Sequence, residues 1–226
     1  MKNFKNINLG ITNSFLIEAN NGYFLVDTGL QNSYKSFLKK LKKNSIELKD
    51  IKYIILTHHH FDHTGFLAKI LTENKNIKLI VHKNELKALS KGESILGEKA
   101  LLTKSFSLFT QLKPNYGKFD SVFIRKQDII LDEKDFSLKK FGIDAKIVFT
   151  PGHTEGSISI LFDNGDTIVG DLIINIKLVR GFKPFVADSY EEIIKSLKKI
   201  NERGAKTLYP SHGKKVDINK VFNYLF

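Results

Sequence analysis

Residues 57–63 read Thr-His-His-His-Phe-Asp-His, so His58, His60, Asp62 and His63 fall within six positions of one another. Imidazole and carboxylate groups cost free energy to bury unless something strong binds them. A divalent metal suits these donors, because neutral imidazole nitrogens and carboxylate oxygens both ligate zinc and its neighbours. His58, His60 and Asp62 alternate, so an extended loop could point them one way and leave His63 for a second ion. His153, in Thr-Pro-Gly-His-Thr, follows the apolar stretch 145–149. Asp171 follows 167–169, and His212, in Tyr-Pro-Ser-His-Gly, follows 207–209. Each lies just past a predicted strand, where rigid scaffolds present functional groups. The chain has seven His, and five of them are in these positions.

Three imidazoles make a neutral shell that leaves a zinc ion strongly Lewis acidic, and water on it can ionise near pH ~7. Two ions roughly 3.5–4 Å apart can share that hydroxide and hold a substrate oxygen. A carboxylate such as Asp171 has two oxygens and suits a bridge. Asp62 can orient the nucleophile or pass a proton to a leaving group. His59 sits between two candidate ligands and should point away, into a supporting or surface role. His82 ends a strand and reads as a satisfied or exposed histidine. Thr57, Thr150 and Ser211 each precede a candidate ligand and could anchor its loop.

The elements that must carry these groups follow from the apolar pattern. Strands are expected at 14–19 and 23–26 around an Asn20-Asn21-Gly22 turn, and at 51–56 and 77–81. Others are expected at 121–125, 136–140, 145–149, 157–162, 167–169 and 207–209. Helical spacing marks Tyr34, Phe37, Leu38 and Leu41, then residues 65–71, and Ile218, Val221, Phe222 and Leu225. Ser189 and Glu192 form a capping-box pattern opening a helix that runs to about Arg203. Residues 83–118 lack strand alternation and read as a helical insertion near the site, a candidate lid. No linker divides the chain, so residues 1–226 are expected to form one domain.

Composition sets outer bounds. There is no Cys, which removes disulfides, thiolate ligands and a cysteine nucleophile. No stretch resembles a signal peptide or membrane span, so an intracellular, cytoplasmic protein is expected. The formal charge is +12, and all but Arg125, Arg180 and Arg203 of the 36 basic residues are lysine. Those lysines are scattered as on solvated helix faces, so a small-molecule substrate is expected and nucleic acid is not.

The ordered set of HxHxDH at 58–63, His153, Asp171 and His212, with Asp27 early in the chain, resembles the metallo-β-lactamase-fold hydrolase superfamily. The resemblance covers nearly the whole chain. It implies an α/β fold, a four-layer αβ/βα sandwich, with a dinuclear site at one edge of two sheets. It places His58, His60 and His153 on one metal, Asp62, His63 and His212 on the second, and Asp171 between them. Asp27 would support the ligand loop by hydrogen bonding. The implied cofactors are two divalent ions, zinc first, with iron or manganese as alternatives.

Departures narrow the choice within the superfamily. The missing Cys and the presence of Asp171 argue against antibiotic hydrolysis. THHHFDH is similar to the glyoxalase II group, but only 14 residues follow His212, too few for that group's glutathione-binding part. There is no room for the extra domains of the RNA-processing nucleases, and flavin-linked diiron relatives have Glu where His60 stands. The reading that remains is a hydrolase of a small ester, thioester, lactone or phosphoester. Its rivals are a mononuclear iron dioxygenase acting on persulfides through His58, His153 and Asp171, and a nucleic-acid-binding protein or nuclease.

Overall fold

The structure is a computed structural model and describes residues 4–95, 117–177 and 181–225. Its first sheet has six strands in sequence order: β1 (Phe4–Asn8), β2 (Asn13–Ala19), β3 (Gly22–Val26), β4 (Ile51–Ile55), β5 (Lys78–His82) and β6 (Ile129–Leu131). β1, β2 and β3 pair antiparallel, and β3 through β6 pair parallel. The second sheet runs in reverse order from β12 (Val216–Asp217) through β11 (Thr207–Pro210), β10 (Asp166–Gly170), β9 (Ile158–Phe162) and β8 (Ala145–Phe149) to β7 (Phe136–Ser137). Only β10 and β11 pair parallel there.

Strand residues alternate between faces, so each strand can serve two cores at once. In β2, Phe15 and Ile17 point into the layer between the sheets, where Phe24, Ile55, Ile80, Ile147, Ile160 and Phe162 meet them. Leu16, with Leu25, Ile54 and Leu79, faces the other way onto Phe37 and Leu41 of α1 (Tyr34–Lys43) and Leu67 and Ile70 of α3 (Leu67–Glu73). Val148, Leu161 and Leu208 of the second sheet pack on α5 (Tyr190–Glu202) and α6 (Ile218–Leu225). The order helix, sheet, sheet, helix is the four-layer αβ/βα sandwich expected. It also explains why these strands read as apolar runs: both faces are covered.

The turn expected at Asn20-Asn21-Gly22 is a tight hairpin in which Ala19 pairs with Gly22. Ser189 caps α5, its Oγ accepting from Glu192 N–H at 3.2 Å. Its own N–H donates to Gly152 O at 2.9 Å, so the second half of the expected box is replaced by a tie to the His153 loop. The expected strand at 121–125 is not one. Asp128 accepts from the backbone N–H and guanidinium of Arg125 and closes a turn there, and the ladder on β5 starts at Ile129. The strand expected at 136–140 stops at Ser137, and a 3-10 turn over Lys139–Phe141 follows.

Of the helical insertion expected at 83–118, residues 83–91 are helical: a 3-10 turn, Lys83–Glu85, then α4 (Leu86–Lys91). Residues 96–116 lie outside the described residues. No helix among the described residues is long and apolar enough to cross a membrane.

Candidate metal centre

The centre forms at the edge where β4, β8, β10 and β11 end, and backbone bonds stitch the two sheets together there. Ile158 N–H donates to Thr57 O at 3.1 Å, and Asn13 N–H donates to Ser211 O at 2.8 Å. The loop after β4 runs into a short helix, α2 (Phe61–Thr64), so His58 and His60 are presented from the loop, His60 from extended backbone, and Asp62 and His63 from a helical turn. The structure brings His58, His60, Asp62, His63, His153, Asp171 and His212 into one cluster. Its ligand atoms form three groups with members within 4.8 Å of one another: His58, His60 and His153; His58, His63 and Asp171; and Asp62, His63 and His212.

Each ring except that of His60 is oriented by its Nδ1, which leaves Nε2 facing inward. His58 Nδ1 lies 3.0 Å from Thr57 Oγ1, His63 Nδ1 2.9 Å from Asp27 Oδ2, His153 Nδ1 2.8 Å from Val186 O and His212 Nδ1 2.8 Å from Ile11 O. Asp27 collects three donors, accepting also from Thr57 N–H at 2.8 Å and Thr57 Oγ1–H at 2.7 Å. Its φ of 57° is one of only two positive values among described residues other than glycine. Such backbone strain concentrates at functional sites. The supporting contact expected of Asp27 is therefore present as hydrogen bonds. Thr57 is a close anchor. Thr150 bonds Ser159 instead, at 2.8 Å, and Ser211 reaches Asp27 only at 3.5 Å.

One positioning group is invisible in the sequence. Glu85, 1% exposed, accepts from the backbone N–H of His59 at 2.7 Å, from its Nδ1, and from Thr154 Oγ1–H at 2.8 Å. It thereby ties the 57–63 loop to the loop carrying His153. A Cβ on Gly156 would stand 2.2 Å from Glu85 Oε1, so only glycine lets the second loop approach. His59 is buried, and its ring serves this tie, not a surface. His82 is buried as well, with Nε2 unpartnered and its ring stacked on Phe149 at 4.5 Å.

The electrostatics divide the cluster. Burial, reinforced by the neighbouring imidazoles, holds His58 and His60 well below the ordinary histidine range, and burial also lowers His153. Burial opposes charge on His63 too, but Asp171, Asp62 and Asp27 outweigh it and push it up to about 10. His212 is raised by the same balance with Asp171 and Asp62. Against the cost of burial, those imidazoles hold Asp62 below, and Asp171 well below, the usual carboxylate range. Asp171 spans the division: Oδ2 lies 3.2 Å from His212 Nε2 and 3.8 Å from His153 Nε2, and Oδ1 lies 3.6 Å from His63 Nε2.

These residues fit a metal. His153 Nε2 lies 2.9 Å from His60 Nδ1 and 3.1 Å from His58 Nε2. The protons of His58 and His153 are committed to Thr57 and Val186, so lone pairs converge there. Two metal–nitrogen bonds of about 2.1 Å at a tetrahedral angle hold their nitrogens about 3.4 Å apart, so an outward shift of a few tenths of an ångström would seat an ion among them. His63 Nε2 and Asp171 Oδ1 are buried without a hydrogen-bond partner. Such orphans are costly unless a further group binds them.

A two-sheet sandwich with an inward-facing His/Asp cluster at its edge defines a scaffold built to hold divalent metal. Residues 7–212 match the metallo-beta-lactamase superfamily, and the chain belongs to it. A probable metallo-hydrolase of Methanocaldococcus jannaschii is 34% identical over 216 residues, 94% of this chain and 92% of the relative. A probable metallo-hydrolase of Bacillus subtilis is 31% identical over 156 residues, 69% of this chain and 57% of the relative. An archaeal metallo-beta-lactamase superfamily protein from Sulfolobus tokodaii shares the fold with a TM-score of 0.67 at 23% identity, over 95% of this chain and 79% of that one. A subclass B3 metallo-beta-lactamase of Bradyrhizobium japonicum does so with a TM-score of 0.66 at 20% identity, over 93% and 75%.

Proposed function

We propose that this hydrolase works through two divalent ions, both zinc, held by His58, His60 and His153 on one side and by Asp62, His63 and His212 on the other, with Asp171 shared. The observation that carries this reading is the pair of buried, unpartnered atoms, His63 Nε2 and Asp171 Oδ1, facing a cluster in which His58, His153 and His212 are already fixed through Nδ1. When bound, such ions lower the pKa of water towards ~7 and polarise a carbonyl or phosphoryl oxygen.

The chain's own residues do the rest. The hydrogen bonds at Nδ1 fix the rings before any substrate arrives, so no reorganisation is needed at the moment of reaction. Asp62 lines the cavity above the cluster. It accepts a proton from attacking water and returns it to the leaving group. Asp171 holds the two halves at a fixed separation through its two oxygens.

The substrate is a small ester, thioester, lactone or phosphoester. The test joins metal quantification to a panel of thioester, lactone and bis-p-nitrophenyl phosphate substrates. Zinc-dependent turnover of at least one panel member, lost on chelation and restored by zinc, is the expected result. About one iron per chain, with oxygen consumed on a persulfide, would overturn the reading.

A further inference from the structure

The cluster opens into a cavity of about 760 Å³, within the size range of small-ligand sites. Its floor is the polar cluster, but its walls are largely apolar. Ile11, Phe61, Ile174, Ile176, Pro184 and Phe185 line them. Ile11 is 64% exposed and Phe185 38%, among the few large apolar side chains that the described surface shows to solvent. A single exposed isoleucine means little, but several apolar side chains walling a cavity above a buried His/Asp cluster mark a ligand surface. Apart from the histidines, Lys214 is the one basic side chain among the described lining residues, in a chain with 36. That is a poor match for a phosphate backbone, which needs several cations along its track.

The walls are also tied to the candidate ligands. Ile11 O accepts from His212 Nδ1 at 2.8 Å, and Val186 O, beside Phe185, accepts from His153 Nδ1 at 2.8 Å. Asn175, between Ile174 and Ile176, donates its N–H to His212 O at 2.8 Å. Apolar wall and reaction centre are therefore set at a fixed distance by the same backbone bonds.

We propose that the cavity takes the apolar acyl chain of a carboxylic ester or thioester, with the reacting carbonyl over the cluster. This rests on the hydrolase reading above and names its substrate class. Water adds to the acyl carbon, and the carbon–oxygen or carbon–sulfur bond breaks. The proton taken up by Asp62 goes to the leaving oxygen or sulfur, giving a carboxylic acid and an alcohol or thiol.

The test uses full-length, zinc-loaded protein with p-nitrophenyl acetate, butyrate, hexanoate and octanoate, and bis-p-nitrophenyl phosphate alongside. Wild-type kcat/KM should rise roughly two- to fourfold per added methylene as the chain enters the cavity. In the Ile11→Ser/Phe185→Ser double variant, with metal content and circular dichroism checked, the octanoate-to-acetate ratio should fall at least tenfold. A flat or falling ester series, an unchanged ratio in the variant, or a preference for the phosphodiester would overturn the acyl-chain proposal and leave the hydrolase reading standing. No turnover of any substrate by fully loaded protein would count against the hydrolase reading itself.

Discussion

Asp27 shows how much a single residue without a ligand role can control. Its carboxylate receives Thr57 N–H, Thr57 Oγ1–H and His63 Nδ1–H, and Thr57 in turn holds His58. One side chain thus orients a ring on each side of the cluster. Asn at this position keeps the size and tolerates the left-handed backbone, but its Nδ2 cannot accept from Thr57 Oγ1 or His63 Nδ1. Asp27→Asn should weaken zinc binding about 10–100-fold, measured by competition with a chromophoric chelator. Protons supply a second prediction. In the metal-free protein His63 lies near 10, so at pH 7 it is protonated and must lose that proton to bind zinc. His58, His60 and His153 are held low and are already neutral there. Zinc affinity at the Asp62–His63–His212 group should therefore rise between pH 6 and 8, about tenfold per unit for each proton displaced, and far less at the other group. Calorimetry in buffers of different ionisation enthalpy separates the two, and equal proton release at both would refute the assignment. The donor residues were legible in the sequence because their chemistry lies in residue type and spacing. Glu85 was not, since a lone Glu in a lysine-rich segment reads as surface and only the approach of two loops buries it.

At the scale of elements, the centre depends on loops from different strands meeting in register. The Glu85 tie links the 57–63 loop, which carries four of the seven candidate ligands, to the loop carrying His153. Removing the carboxylate takes the acceptor from the buried backbone N–H and Nδ1 of His59, a loss of about 1–3 kcal/mol each. Glu85→Ala should lower thermal stability and reduce affinity at the His58–His60–His153 group. Glu85→Gln, which keeps an acceptor and the packing, should recover most of the stability but less of the affinity. A cobalt-substituted protein reads the difference as a changed visible spectrum in both variants, and an unaltered spectrum in Glu85→Gln would reduce Glu85 to a packing role. The strands most readily seen in the sequence were those buried on both faces, such as Ile158–Phe162. β1, β6 and β12 were missed: β1 buries only Phe4 and Ile7, three positions apart, and strands of three and two residues carry no period. Residues 121–125 have the apolar pattern, but Phe123 is 69% exposed, since the Arg125–Asp128 turn holds the segment away from a ladder.

At the scale of the molecule, three apolar clusters build the sandwich, and the metal centre sits at its edge. The protein should therefore stay folded without metal and gain stability on binding it, about 2.7 kcal/mol per site at a hundredfold excess over Kd. The sandwich was foreseen through resemblance, because the element pattern alone marks strands and helices without saying how they stack. Asp171 is where this architecture and the chemistry meet, because among the described residues it is the one carboxylate within reach of His153, His63 and His212. The most direct measurement is the zinc content of chelator-stripped, reconstituted wild type and Asp171→Ala, with circular dichroism recorded on both. We expect two zinc ions per chain in the wild type and loss of metal in the variant, with the fold retained. Unchanged zinc content in a folded Asp171→Ala would contradict the shared two-ion centre.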